Sequence, residues 1–232
     1  MTMIILDIET KNLEAIGDGI TFGHPANWKT SCVCTLELVG PELTDLEAKV
    51  FVNHEDLAKV KEAMPNATIT PLNELRDYLN NSLEDGLPLL THNGDNFDLP
   101  ILQKPLEHGG AGCNEVIHDY MQAGLTVDTC ADLKRWTGKR FHLQDLIKGA
   151  LGNKASKLMS GANAPKEWNA GNYADVIEYC LSDSSLTYQM FCIAAQQGFI
   201  EANASKETTP TVVATTDWQG WLDIALATTT EP

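Results

Sequence analysis

A chain of 232 residues, 43% hydrophobic and 7% aromatic, has the material for one large core, so one domain or one domain with a tail is expected. Its longest apolar runs, such as 3–6 and 87–90, fall well short of the ~20 residues of a membrane-crossing helix, and the N-terminal run lacks the basic segment of a secretory signal, so a cytoplasmic location is expected. A net charge of −16 argues against a generally basic surface, yet the charge is uneven. Seven bases (Lys134, Arg135, Lys139, Arg140, Lys148, Lys154 and Lys157) face the single acid Asp145 over 134–157, which makes that stretch +6; the other nine bases and 31 acids make the rest −22. Such a stretch reads equally as a lobe that guides a polyanion or as solvated helix faces.

Alternating or continuous apolar runs at 3–8, 31–39 and 47–52 predict three strands in an antiparallel meander. Helical spacing follows at 54–64 and 71–83, with Pro71 suited to a first helical turn. A short buried strand is expected at 87–91, then helices at 98–107, 128–136 and 142–151, and a long closing helix at 172–197. Strands first, then strands mixed with helices, indicate an α/β sandwich with one mixed sheet covered by helices, occupying residues 1–202. From 203 to 232 the composition turns to threonine, alanine and acid, and a largely unstructured tail is expected. Within it Trp218, Trp221, Leu222 and Ile224 suggest a short apolar turn at 217–226 that docks on the domain or on a partner.

Six cysteines, Cys32, Cys34, Cys113, Cys130, Cys180 and Cys192, lack the C-x-x-C pairs of a zinc site or disulfide framework and read as reduced core thiols. Cys32 and Cys34 are two apart in a predicted strand and should share one buried face, with a redox or metal pair as the alternative.

Three local patterns carry chemistry. In the first strand two carboxylates, Asp7 and Glu9, interrupt an apolar run and share a face by period-two geometry; their burial calls for a cation such as Mg²⁺ or Mn²⁺, unless the strand end simply reaches solvent. In the second, a buried strand, a polar turn from His92 to Phe97 and a helix opening at Asp98 crowd polar groups at the carboxyl end of a strand, where open sheets place ligand sites; a plain helix cap is the alternative for Asp98. In the third, Tyr179 and Asp183 are four apart on one helical face with Val176, Cys180 and Leu186 close by, and the alternative is a surface Asp beside a core Tyr. Asp128, in Val-Asp-Thr before a helical run, reads as a cap.

Together these patterns resemble the DEDD superfamily of exonucleases, which has the ribonuclease H-like fold, and specifically its tyrosine branch, the proofreading exonuclease domains of DNA polymerases. The resemblance spans roughly residues 3–198. D-x-E is Asp7 and Glu9, N-x-x-x-F-D runs from Asn93 to Asp98, and Y-x-x-x-D is Tyr179 to Asp183. Cys180 and Leu186 extend the third motif to the family B wording, Y-C-x-x-D-x-x-L, whereas the histidine branch would have His where Glu178 stands. Without a polymerase domain beside it, the chain looks most like free-standing members encoded by bacteria and phages.

The resemblance implies a 3′-to-5′ exonuclease that releases 5′-mononucleotides from single-stranded DNA. It implies two divalent ions, Mg²⁺ or Mn²⁺, about 3.5–4 Å apart and held by Asp7, Glu9, Asp98 and Asp183. The four carboxylates should then have coupled, partly raised pKa values before metal binds. Tyr179, a poor base at its ordinary pKa of about 10, would orient the attacking water. Thr10, Asn93, Phe97, Lys134, Arg135, Lys139 and Arg140 are candidate substrate contacts, with Trp136 and Phe141 interleaved among the bases and Phe97 either stacking on a base or filling the core. RNA or short oligoribonucleotides are the alternative substrates, and a non-catalytic accessory module on the same fold is the alternative class. A replication or repair protein is a candidate partner of the tail, in a bacterial cell or a phage-infected host.

Overall fold

The apolar run that opens the chain becomes the centre of a sheet. In the computed structural model, which describes residues 3–12, 24, 27–40, 42–152, 154–202 and 209–227, β1 (Ile4–Thr10) pairs antiparallel with β2 (Thr30–Leu38), and β2 pairs antiparallel with β3 (Leu46–Val52). Helix α1 (Leu57–Ala63) leads to β4 (Ile69–Pro71), which lies parallel to β3. Helix α2 (Leu75–Glu84) then crosses to β5 (Leu89–Thr91), parallel to the free side of β1. Helices α3 (Asp98–Leu102) and α4 (Asn114–Gln122) precede β6 (Thr126–Asp128), which adds in parallel beside β5 and completes the order β4-β3-β2-β1-β5-β6. Helices α5 (Thr129–Thr137), α6 (Leu143–Leu151), α7 (Ala164–Ala170) and the 25-residue α8 (Tyr173–Gln197) follow. The hairpin β7 (Phe199–Ala202) and β8 (Thr211–Ala214) and helix α9 (Thr216–Ala227) end the described chain.

Period-two geometry divides the side chains of β1 between two cores. Ile4, Leu6 and Ile8 pack with Leu79 of α2 and Ile117 of α4, whereas Met3 and Ile5 pack with Leu146 of α6 and Phe191 of α8. Burying each such side chain contributes about 1.5–3 kcal/mol, so the strand cannot slip by one residue without exchanging both cores. Asp7 and Glu9 fall on the Met3 and Ile5 face, towards α8. This mixed sheet flanked by helices is the ribonuclease H-like α/β arrangement.

Where structure and sequence reading differ, local chemistry explains it. Pro71 closes β4, where the parallel partner β3 demands an extended chain, and the helix begins only at Leu75. The helix expected at 98–107 stops at Leu102, because Pro105 cannot continue it. The short strands β4 and β6 and the helices α4 and α7 were not anticipated. The expectation of a largely unstructured tail is corrected for 209–227. There β8 pairs with β7, and Trp218 and Leu222 are buried in the core that also holds Phe191, so the docking is onto the domain. Gly149 of α6 permits it, since a Cβ there would stand 1.6 Å from the carbonyl oxygen of Glu201. Residues 203–208 and 228–232 of the expected tail lie outside the described residues. No helix among the described residues is long and apolar enough to cross a membrane.

Candidate active site

The face of β1 that carries Asp7 and Glu9 meets α8 where Asp183 projects from it. Ligand-competent oxygens of these three carboxylates lie within 4.8 Å of one another. Asp98 opens α3 beside the same strand, its Oδ1 accepting the amide of Ile8 at 3.2 Å. It is not one of the close trio but lines the same cavity, of about 720 Å³.

The turn that delivers Asp98 is held from below. Asn93 has φ of +68°, the single non-glycine residue among those described in the left-handed region, which asparagine tolerates better than most. Gly94 follows because a Cβ there would stand 2.3 Å from Thr91 Oγ1. Asp128 ties this turn to the next helix: its carboxylate accepts the amides of Asn93 (2.7 Å) and Asp95 (3.0 Å) as well as those of Cys130 (2.9 Å) and Ala131 (3.2 Å) at the start of α5. Asp128 is therefore a cap, as expected, and also a clamp on the loop that carries Asp98. His92 adds a third tie through Nδ1 to Thr129 Oγ1 at 2.9 Å, and its burial holds its pKa down at about 3.

Crowding and burial raise every carboxyl of the cluster. Burial pushes Asp7 up, with Asp98 and Asp183 adding repulsion, and it pushes up Glu9 with Asp7 as the next cause. Asp98 is pushed up to about 7 by burial, and burial also raises Asp183 although the Lys157 ammonium pulls it back. Burial and then the Glu9 carboxylate lift Tyr179 well above its ordinary value, so its hydroxyl stays protonated. Asp7 Oδ2 and Asp183 Oδ1 are buried and without a hydrogen-bond partner among the described residues. Unsatisfied carboxylate oxygens at such depth cost several kcal/mol unless a cation meets them, and an all-oxygen donor set suits a hard divalent ion. The residues present thus fit a divalent metal.

Of the candidate substrate contacts, Thr10, Asn93, Phe97, Lys134 and Arg140 line the cavity, and Arg140 donates to Asn93 Oδ1 at 3.1 Å. Phe97 does double duty, packing edge-on to Trp28 at 5.9 Å while reaching the cavity wall. Arg135 and Lys139 are not brought there. Arg135 pairs with Asp132 at 2.8 Å and lies over Trp136, because helical spacing turns it a full face away from Lys134, while Lys139 reaches Thr211 Oγ1 at 3.5 Å. Trp136 packs on Trp218 and Phe141 is buried in the core, and neither lines the cavity. The sequence reading counts Lys157 only within the basic stretch and does not place it beside the acids. Its Nζ lies 2.5 Å from Asp183 Oδ2 and 5.1 Å from the centre of the Tyr179 ring. It sits in an irregular stretch between α6 and α7, and no spacing linked it to the acids.

Fold and cavity define a ribonuclease H-like α/β protein with a carboxylate cluster where the central strand meets α8. No family model and no curated protein matches the sequence. Among solved structures, the chain is similar to the family B DNA polymerase of the hyperthermophilic archaeon Pyrobaculum calidifontis, with a TM-score of 0.50 and 15% identity over 85% of this chain. The zinc-bound ExoI–ssDNA complex of Escherichia coli is matched at a TM-score of 0.43 and 13% identity over 84% of this chain. The chain spans 26% of the polymerase chain and 40% of the ExoI chain.

Proposed function

We propose that this chain is a metal-dependent 3′-to-5′ exonuclease that hydrolyses single-stranded DNA to 5′-mononucleotides, with two divalent ions, Mg²⁺ or Mn²⁺, held by Asp7, Glu9, Asp98 and Asp183. The observation that carries the reading is the pair of buried, unpartnered oxygens on Asp7 and Asp183 inside one carboxylate cavity. The likeness in fold to a family B DNA polymerase and the resemblance of the three motifs to the tyrosine branch support it. When bound, the metals would lower the pKa of a water and stabilise charge on the leaving oxygen.

The chain's own residues supply the remaining parts. The Tyr179 hydroxyl keeps its proton and can hold and orient a water but cannot deprotonate it. Lys134 and Arg140 line the same cavity as the acids and offer cations to a backbone phosphate. Thr10, Asn93 and Phe97 shape the pocket for a terminal nucleotide pulled from its neighbours. The test is the purified chain with Mg²⁺ or Mn²⁺ on 3′-labelled DNA and RNA strands of one sequence. Release of labelled 5′-mononucleotide from DNA, stopped by EDTA and by Asp183→Asn, is expected. Activity indifferent to EDTA would sink the proposal, and faster cleavage of the RNA strand would transfer it to the exoribonuclease alternative.

A further inference from the structure

Behind the carboxylates lies a second cluster of a different chemical character. We propose that Cys32, Cys34 and Cys180 form a binding site for one thiophilic ion of the zinc class, separate from the hard-metal carboxylate site. The three Sγ atoms lie within 4.8 Å of one another although they come from two elements, β2 and α8, 146 residues apart at the nearest. Three sulfurs each about 2.3 Å from one ion lie about 4 Å apart, so the cluster needs to contract by less than about 1 Å to close on an ion of that size. All three residues are wholly buried. Among the described residues, Cys113, Cys130 and Cys192 belong to no such cluster.

Register explains how the two clusters come to be adjacent. Cys34 lies opposite Asp7 and Cys32 opposite Glu9 across the β1–β2 pairing, so thiols and carboxylates share the sheet face that α8 covers. Helix α8 contributes to both, with Cys180 falling between Tyr179 and Asp183 in the chain. The Cys180 thiol donates to the carbonyl oxygen of Asp7 at 3.3 Å, and Cys34 reaches the carbonyl of Ile177 at 3.8 Å. Sulfur donors select soft and borderline ions, and the neighbouring oxygens select hard ones, so the two clusters would sort ions by softness rather than compete for the same one. For every thiolate ligand formed an S–H bond breaks, an S–metal bond replaces it and one proton leaves to solvent. An ion at the triad would also tie α8 to β2 directly beneath the acids. Since no thiol is exposed, the ion enters when α8 lifts or as the chain folds.

Cadmium is a suitable probe, because its bonds to sulfur give an ultraviolet charge-transfer band that bonds to carboxylate oxygen do not. The reduced 232-residue chain, with Mg²⁺ in excess, is given Cd²⁺ both in the native state and during refolding from denaturant, then desalted. The expected result is one Cd²⁺ retained per chain with the sulfur band after refolding, and slower uptake by the native protein. Cys180→Ser and Cys34→Ser should each lose most of the band while Cys130→Ser retains it, with circular dichroism reporting the fold of each variant. Absence of the band from refolded wild-type protein overturns the proposal whatever the variants do, and so does a band that survives in folded Cys180→Ser. None of these readouts depends on nuclease activity, so the thiol site and the exonuclease reading can fail independently.

Discussion

Lys157 Nζ stands 2.5 Å from Oδ2 of Asp183, while the other oxygen of that carboxylate is buried without a partner. Half of the Asp183 charge is thus met by a protein cation and half is left for another. Replacing Lys157 by Ala should destabilise the metal-free protein by about 1–3 kcal/mol, the cost of stranding a buried acceptor. Saturating Mg²⁺ should recover most of that loss by supplying the missing positive charge. Thermal unfolding of wild type and Lys157→Ala, each with EDTA and with Mg²⁺, checks this; an equal deficit under both conditions would show that the lysine acts through packing alone.

The pH dependence follows from the same crowding. Asp98, raised from 3.8 to about 7, keeps its proton in the folded metal-free protein where the unfolded chain has released it. Between those values the folded state binds more protons, so stability falls as pH rises, the reverse of a salt-bridged carboxylate. Asp7, Glu9 and Asp183 shift in the same direction and add to the slope. Because metal binds the ionised carboxylates, Mg²⁺ should raise the melting temperature more at about pH 8 than at about pH 5. Asp98→Asn should flatten the metal-free slope, and melting curves across this window decide it.

Tyr179→Phe removes a hydroxyl that orients water under the proposed function but leaves the ring beneath Lys157. Turnover should fall by up to about 100-fold, the scale of a mispositioned reactant, with the KM for a short single strand nearly unchanged. A rise in KM with kcat unchanged would make Tyr179 a binding residue, and single-turnover kinetics at saturating metal separate the two.

Much of this site was legible before any coordinates. Asp7 and Glu9 announced themselves because charge inside a β-branched run is costly, and Tyr179 and Asp183 because helical spacing puts them on one face. The convergence of α8 on β1 was not readable from spacing, and came only through the motif resemblance. Lys157 was missed because an irregular segment has no period. Arg135 and Lys139 fall outside the cavity lining because a cluster in sequence fans out around a helix and its turn. The short strands β4 and β6 carry three residues each, too few for alternation to register, and the threonine-rich end hid a helix whose apolar face needed the surface of α8 to fold upon.

Asp128 offers a test of positioning away from the carboxylate cluster. Its carboxylate holds four amides, two on the Asn93 turn and two at the start of α5. Asp128→Ala should cost about 2–4 kcal/mol, combining a lost cap with stranded loop amides. Asp128→Asn retains an acceptor and should recover part of this. Under the proposed function both variants should need a higher Mg²⁺ concentration for half-maximal rate, since the loop carries Asp98; calorimetric melting and a Mg²⁺ titration of activity report the two effects separately.

Trp218 decides whether the last helix belongs to the domain. Its indole is wholly buried, packs on Trp136 and Phe191 at ring separations of 5.6 and 5.4 Å, and donates from Nε1 to Asp132 Oδ2 at 2.9 Å. Just before it, the Thr215 hydroxyl bonds to the carbonyl of Ala194 at 2.6 Å, which seats α9 on the end of α8. Trp218→Ala should therefore destabilise the whole protein by about 3–5 kcal/mol, in one cooperative transition shared with the sheet. An appended segment serving only a partner would give the opposite result, an unchanged melting temperature with loss confined to the helix signal. Trp218→Phe, which keeps the ring contacts and loses the bond to Asp132, should fall between wild type and Ala, since the apolar area counts for more than the single hydrogen bond, worth about 0.5–1.5 kcal/mol.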